Sequence, residues 1–267
     1  MPFPEIKQRI IYKKNPLDQV ICQLRFPAIL KISAEIPFEF QEKIREQFPE
    51  FSELSELSIN IPNAENQIPA EILKSAHRSS NNRNYEFFSE DKQWKINLTN
   101  NFFALSSFNY KNWEEFSDRL KLPFAAFLDI YKPKRFSRIG LRYIDVIKRS
   151  KLGLEKIEWD DLLKPYFLGV LASPEGKNVQ SFENRYEIRL SDNESTVNLV
   201  TRLVKDSKDN EECFMIDSDF FSVINTDISE VPEKLCYFNK RASRLLQWCI
   251  SEKLHNAMEP KNYDEYK

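Results

Sequence analysis

Glycine is the scarce residue in this chain. Four occur among 267 residues, against a usual share of about 7%. Gly140, Gly153, Gly169 and Gly176 each stand alone. Loops that cradle phosphate need clustered glycine so that successive backbone N–H groups converge on the anion. No Walker loop and no dinucleotide fingerprint can be written here, which argues against the common nucleotide-binding folds. Histidine is scarcer still, at His77 and His255 only. Metal centres and nucleophile–base pairs ordinarily draw on more. No Ser, Cys or His arrangement has triad character, so no catalytic residue is assigned. The four cysteines, Cys22, Cys213, Cys236 and Cys249, show no Cys-x-x-Cys spacing. They read as reduced core thiols, since free cysteine is among the most buried residue types.

Long apolar runs are missing too. None reaches the roughly 18 residues that a membrane helix needs. The opening Met1-Pro2-Phe3-Pro4-Glu5-Ile6-Lys7 lacks the apolar centre of a secretory leader. A surplus of charge is also absent, with 39 basic against 41 acidic residues. A dedicated duplex-binding domain is usually more basic. The expectation is a cytoplasmic protein without membrane association, cofactor or bound metal.

Aromatic side chains are plentiful, led by 21 phenylalanines. Each buried ring removes about 150–250 Å² from water, so a sizeable core is available. Period-two alternation predicts a strand over Gln19–Phe26. A helix is predicted from Pro37, with Phe40, Ile44 and Phe48 on one face and Pro49 as its stop. The weakly patterned stretch from Phe51 to Asn84 reads as loops with a short helix. A meander follows: Tyr85–Ser89, Trp94–Leu98 and Phe102–Phe108. Asn112 and Glu115 form a capping-box pattern. Beyond it, Trp113, Phe116, Leu120, Phe127 and Tyr131 mark a helix that Pro123 should kink or interrupt. In the second half, a short helix is predicted at Trp159–Leu163 and strands at Asn184–Leu190, Thr196–Val204 and Glu212–Ser222. A long helix runs from about Pro232 to Met258, and the tail from Glu259 looks frayed.

Each half thus reads as antiparallel strands followed by a long helix. The expected fold is α+β: an antiparallel sheet with long helices on one face. No Pro/Gly/Ser-rich linker divides the chain, so residues 1–267 read as one unit with pseudo-halves at 1–150 and 151–267.

The segment Arg135-Phe136-Ser137-Arg138-Ile139-Gly140-Leu141-Arg142-Tyr143-Ile144-Asp145 carries three arginines and one of the rare glycines. As a strand it puts Arg138, Gly140 and Arg142 on one face and Ile139, Leu141, Tyr143 and Ile147 on the other. Gly140 should leave room for a packed ring, a backbone crossing or a ligand.

Together with Asn15-Pro16-Leu17, Ile21-Cys22-Gln23-Leu24-Arg25-Phe26-Pro27, the stretch from Trp94 to Leu105, Tyr110, Trp113 and Ile216-Asp217-Ser218-Asp219, this segment resembles a known family. It is a sporadically distributed prokaryotic family of about 250 residues with an Arg-x-Gly-Leu-Arg-Tyr motif and no assigned function. This chain has Asp145 where that family commonly shows Asn. The resemblance implies host-defence or mobile-element gene neighbourhoods. It brings no activity, cofactor or catalytic residue.

Arg138, Gly140 and Arg142, with Arg25, Lys134 and Arg135, are the candidate binding residues. Two accounts stand open for the arginines. They dock a partner or an anion, or they pair with acidic residues on neighbouring strands. Asp217 and Asp219 share a strand face. With Asp145 they would hold a divalent ion or do acid–base work; otherwise they pair with Arg138 and Arg142. His255 lies late in a helix, where a cation suits the dipole. Lys132-Pro133-Lys134-Arg135-Phe136 and Tyr12-Lys13-Lys14 interleave basic and aromatic residues, as in single-strand tracking or on a solvated edge.

The leading expectation is a non-catalytic adaptor that docks a protein through its arginine-bearing face. A nucleic-acid or nucleotide binder is the second, and a metal-dependent phosphodiesterase-like enzyme the third.

Overall fold

The computed structural model describes residues 9–55 and 83–263. Two short strands open and close it: β1 at Arg9–Tyr12, and β11 at Pro260–Tyr263. Between them lie β2 (Leu17–Arg25), α1 (Leu30–Ala34), α2 (Phe38–Ile44), β3 (Glu50–Ser55), β4 (Arg83–Phe88), β5 (Trp94–Leu98), β6 (Phe102–Ser107) and α3 (Trp113–Tyr131). The second half has β7 (Arg138–Ile147), the short helices α4 (Arg149–Leu152), α5 (Trp159–Leu162) and α6 (Pro165–Leu168), then β8 (Glu183–Arg189), β9 (Ser195–Lys205) and β10 (Glu212–Ser222). It ends with α7 (Val231–Cys249) and α8 (Glu252–Ala257) before β11.

Strands β2 to β10 form one sheet of nine in the order β3-β4-β5-β6-β2-β7-β10-β9-β8. Every pairing is antiparallel. The order mirrors itself about the β2–β7 seam. Each half starts with its central strand, passes through short helices, meanders back toward the seam and closes on a long helix.

The alternation explains which face is covered. Val20, Cys22 and Leu24 of β2 and Ile139, Leu141 and Tyr143 of β7 are buried on one side. On that side α3 packs Phe116 against Trp94 and Phe127 against Phe103. Asn239 of α7 accepts a hydrogen bond from the Tyr143 hydroxyl at 3.0 Å. Both long helices therefore cover the same face, as the α+β expectation requires. The other face carries Gln23, Arg25, Arg138, Arg142 and Asp219, none of them fully buried.

Several element boundaries differ from the sequence-based expectation. The helix from Phe38 ends at Ile44, before Phe48, though Phe48 is still fully buried. Part of the expected loop after Phe51 is strand: β3 pairs with β4, placing Phe51 opposite Phe87. The short helix expected further along falls outside the described residues. Helix α3 runs through Pro123 without interruption. Pro123 is buried against the sheet side of that helix, so packing offsets the lost backbone bond. The last long helix stops at Cys249. There Ile250 turns extended to bridge Leu163, and the Ser251 side chain caps α8 by accepting from the Leu254 amide. Of the expected fray after Glu259, residues 260–263 form strand β11, which completes the ladder of β1, and residues 264–267 lie outside the described residues.

Candidate functional site

The arginine strand is where the sequence points first. Arg138, Gly140 and Arg142 do share the uncovered sheet face. Each guanidinium meets an aspartate on β10. Arg142 pairs bidentately with Asp217, donating from Nε at 2.7 Å and from Nη2 at 2.5 Å. That pairing pushes the Arg142 pKa further up. Arg138 donates from Nη2 to Asp219 at 2.7 Å and from Nη1 to Gln23 Oε1 at 3.3 Å. Its guanidinium also sits 4.8 Å from the centre of the Phe221 ring. Arg25 stands opposite Arg138 in the β2–β7 ladder. It donates to the same Gln23 oxygen at 3.1 Å, so one amide separates two like charges.

The space above Gly140 is taken by Arg138 itself. A Cβ built there would lie 2.3 Å from Arg138 Nη1. Lys134 and Arg135 are exposed between α3 and β7, while Phe136 beside them is fully buried. That phenylalanine is core and not a stacking ring.

The carboxylate trio does not converge. Asp217 lies opposite Ile144 and so shares the open face, whereas Asp145 lies opposite Ile216 and points to the helices. Among the described residues no group of three potential metal ligands forms. His255 accepts or donates at Nδ1 to the Tyr12 hydroxyl at 2.9 Å, so it tethers β1 as well as standing near a helix end. His77 lies outside the described residues. Cys22, Cys213 and Cys249 are buried free thiols, while Cys236 is partly exposed.

The covered face holds what sequence reasoning misses. A cleft of about 560 Å³ opens between β7, β10, α7, β1 and the segment from Tyr110 to Glu114. Tyr143, Asp145, Ile216 and Ser218 form its floor; Asn239, Ser243 and Gln247 line it from α7. Strand β1 is fixed across it by an Arg9–Glu114 ion pair with contacts of 2.5 and 2.9 Å. Tyr110 meets Tyr143 edge-on, ring centres 5.9 Å apart.

Asp145 is the anomalous group. It occupies the apolar row of β7 and is 4% exposed. Its Oδ1 is buried with no hydrogen-bond partner. Burial, and then the charge of Asp217 through the sheet, push its pKa up from 3.8 to about 7. Burial likewise raises the Tyr110 and Tyr143 phenols.

Two sequence signals mark this cleft. One is a carboxylate in phase with Ile139, Leu141, Tyr143 and Ile147. The other is the polar set Asn239, Ser243 and Gln247, spaced four apart beside the apolar stripe of α7. Buried carboxylates are rare unless paired, so the first signal alone carries chemical meaning. No protein-family model and no curated protein matches this chain.

Proposed function

We propose that this protein is a ligand-binding module whose site is the cleft between the sheet and α7. The observation that carries the proposal is Asp145, a buried carboxyl aimed into a cavity with one oxygen unpartnered. Leaving such a group unsatisfied costs about 1–3 kcal/mol. A ligand donor on Oδ1 recovers that cost, so the site stores part of its own binding energy. The cavity volume falls in the roughly 300–1,000 Å³ range of small-molecule sites, and its wall combines aromatic rings with a few convergent polar groups. Three buried unpaired thiols support a cytoplasmic setting.

Thermal denaturation of the full chain against a panel of polar metabolites tests the reading. A binder should raise the melting temperature and slow modification of Cys236, which lines the cleft. A ligand that stabilises the protein while leaving Cys236 labelling and Asp145→Asn binding unchanged would move the site elsewhere.

A second reading concerns the open sheet face. Arg142, Arg185 and Arg202 border a shallow hollow of about 280 Å³ together with Glu183, Asp217 and Asp219. Both signs of charge alternate there, which complements a protein surface of mixed charge better than a polyanion. This is where we place the docking of a protein partner, the adaptor role expected from the sequence. Co-purification from a native host with the Arg185→Glu variant beside the unaltered chain tests it. A partner retained by both would not be held at this hollow.

A further inference from the structure

Resting on the cleft as a ligand site, we infer that its ligand is a mononucleotide, with the base seated on Asp145 and the phosphate held at the mouth. The floor and the mouth of the cleft demand different chemistry, and that difference defines the ligand class. At the floor, Asp145 Oδ1 needs a donor. The neighbouring Tyr143 hydroxyl is already committed to Asn239 Oδ1. With its Oδ1 taken, Asn239 has only its amide N–H donors left to offer a ligand. A carboxylate acceptor beside an amide donor reads the edge of an amino-substituted ring, which offers N–H groups next to a carbonyl or ring nitrogen.

The mouth is basic. Lys240 and Arg244 stand one turn apart on α7 and both line the cleft. Neither makes an ion pair among the described residues. Like charges four residues apart on a helix disfavour one another, and an anion between them removes that repulsion. Lys111 stands at the same opening, already paired with Glu115 at 3.4 Å, so the anion rests on Lys240 and Arg244. Glu114, the mouth's nearby carboxylate, is spent on Arg9. Tyr110 and Trp113 supply flat surface between floor and mouth, suited to stacking a base.

At pH 8, where the titrations below are run, Asp145 is ionised and accepts only, so it matches two adjacent N–H donors. Guanine presents such a pair and adenine does not. The expected order of affinity is therefore GMP above AMP. This site uses side chains rather than a glycine-rich loop, so the scarcity of glycine is no obstacle to it.

Calorimetric titration of the full chain with GMP, AMP, guanosine, ribose 5-phosphate and free arginine tests the assignment. GMP should bind and protect Cys236 from thiol reagent. Guanosine and ribose 5-phosphate should each bind about tenfold or more weakly. The Lys240→Ala/Arg244→Ala variant should lose affinity for GMP but keep its affinity for guanosine. Asp145→Asn, nearly isosteric, should lose affinity for both, and circular dichroism checks that each variant folds. If arginine binds and protects Cys236 while no nucleotide does, the ligand class is wrong and the cleft remains a site. If no probe, and no member of the wider metabolite panel, protects Cys236, the cleft reading falls as well.

Discussion

Arg138 lies flat over Gly140, with Nη1 only 2.3 Å from where a Cβ would stand. Glycine at this position is the berth of a neighbouring guanidinium. The obstructing atom is the tip of a flexible side chain, so Gly140→Ala should fold. Its cost is the displacement of Arg138 from Asp219, Gln23 and Phe221, roughly 1–2 kcal/mol. The diagnostic is a double-mutant cycle by urea denaturation. Gly140→Ala should cost much less in an Arg138→Ala background. Equal cost in both backgrounds would mean that glycine serves the backbone alone.

Removing either member of the Arg142–Asp217 pair should have unequal effects. The Asp217 side chain is 10% exposed and that of Arg142 is 44% exposed. Arg142→Ala strands a buried carboxylate and should cost about 2–3 kcal/mol. Asp217→Asn leaves a half-solvated guanidinium and should cost less, about 1 kcal/mol. Chemical denaturation of the two variants gives the order directly, and a reversed order would contradict this account of the pair.

Asp145 makes stability fall as pH rises. Its pKa is about 7 in the folded protein, against an ordinary value of 3.8 for a solvated aspartate. The folded state therefore holds a proton that the unfolded chain has released between these limits. Stability from this group is complete below about pH 4 and is lost progressively up to about pH 7. Tyr12, Tyr143 and Cys249 feel its charge but have their own pKa values raised, so they remain neutral through this window. Asp145→Asn should remove the slope and gain a few kcal/mol at pH 8. Asp217→Asn should reduce it, because one of the two causes of the shift is gone. Melting temperatures of the three proteins from pH 4 to 8 check this, and parallel curves would refute it.

Deleting residues 260–267 should loosen one wall of the cleft without unfolding the sheet. β11 is the ladder partner of β1, in register from Arg9–Tyr263 to Tyr12–Pro260. Hydrogen exchange should rise at residues 9–12, and Cys236 should react faster with thiol reagent. Unchanged protection at those four residues would show that the Arg9–Glu114 and Tyr12–His255 contacts hold β1 unaided.

Legibility from sequence follows the physics of each signal. The strands with clean alternation, β2, β5 and β9, are readable because one face is buried and the other is not. The capping pattern at Asn112 is readable because it is local, and in the structure the Asn112 side chain accepts from the Glu115 amide at 2.9 Å. β3 and β11 escape because their strand character comes from a ladder partner distant in sequence. The break at Ile250 escapes because its extended backbone is dictated by Leu163. The cleft is hidden for a related reason. Residue type groups Asp145 with Asp217 and Asp219, yet strand parity sends it to the opposite face. Only the assembly of β7, α7 and β1 reveals the space before it.

The mirrored strand order has a kinetic consequence. The turns within β4–β5–β6 and β8–β9–β10 join neighbours in sequence, and such hairpins form on the order of microseconds. The β2–β7 seam is different. It sets Ile21 opposite Arg142, so an entire meander and helix must be spanned before the two strands meet. Loop closure of that length has to precede any reward from the contact. Substitutions in the outer hairpins, which form ahead of the barrier, should therefore slow refolding, while substitutions in the seam, such as Cys22→Ala, should mainly hasten unfolding. The middle of the sheet is the last part of it to exist.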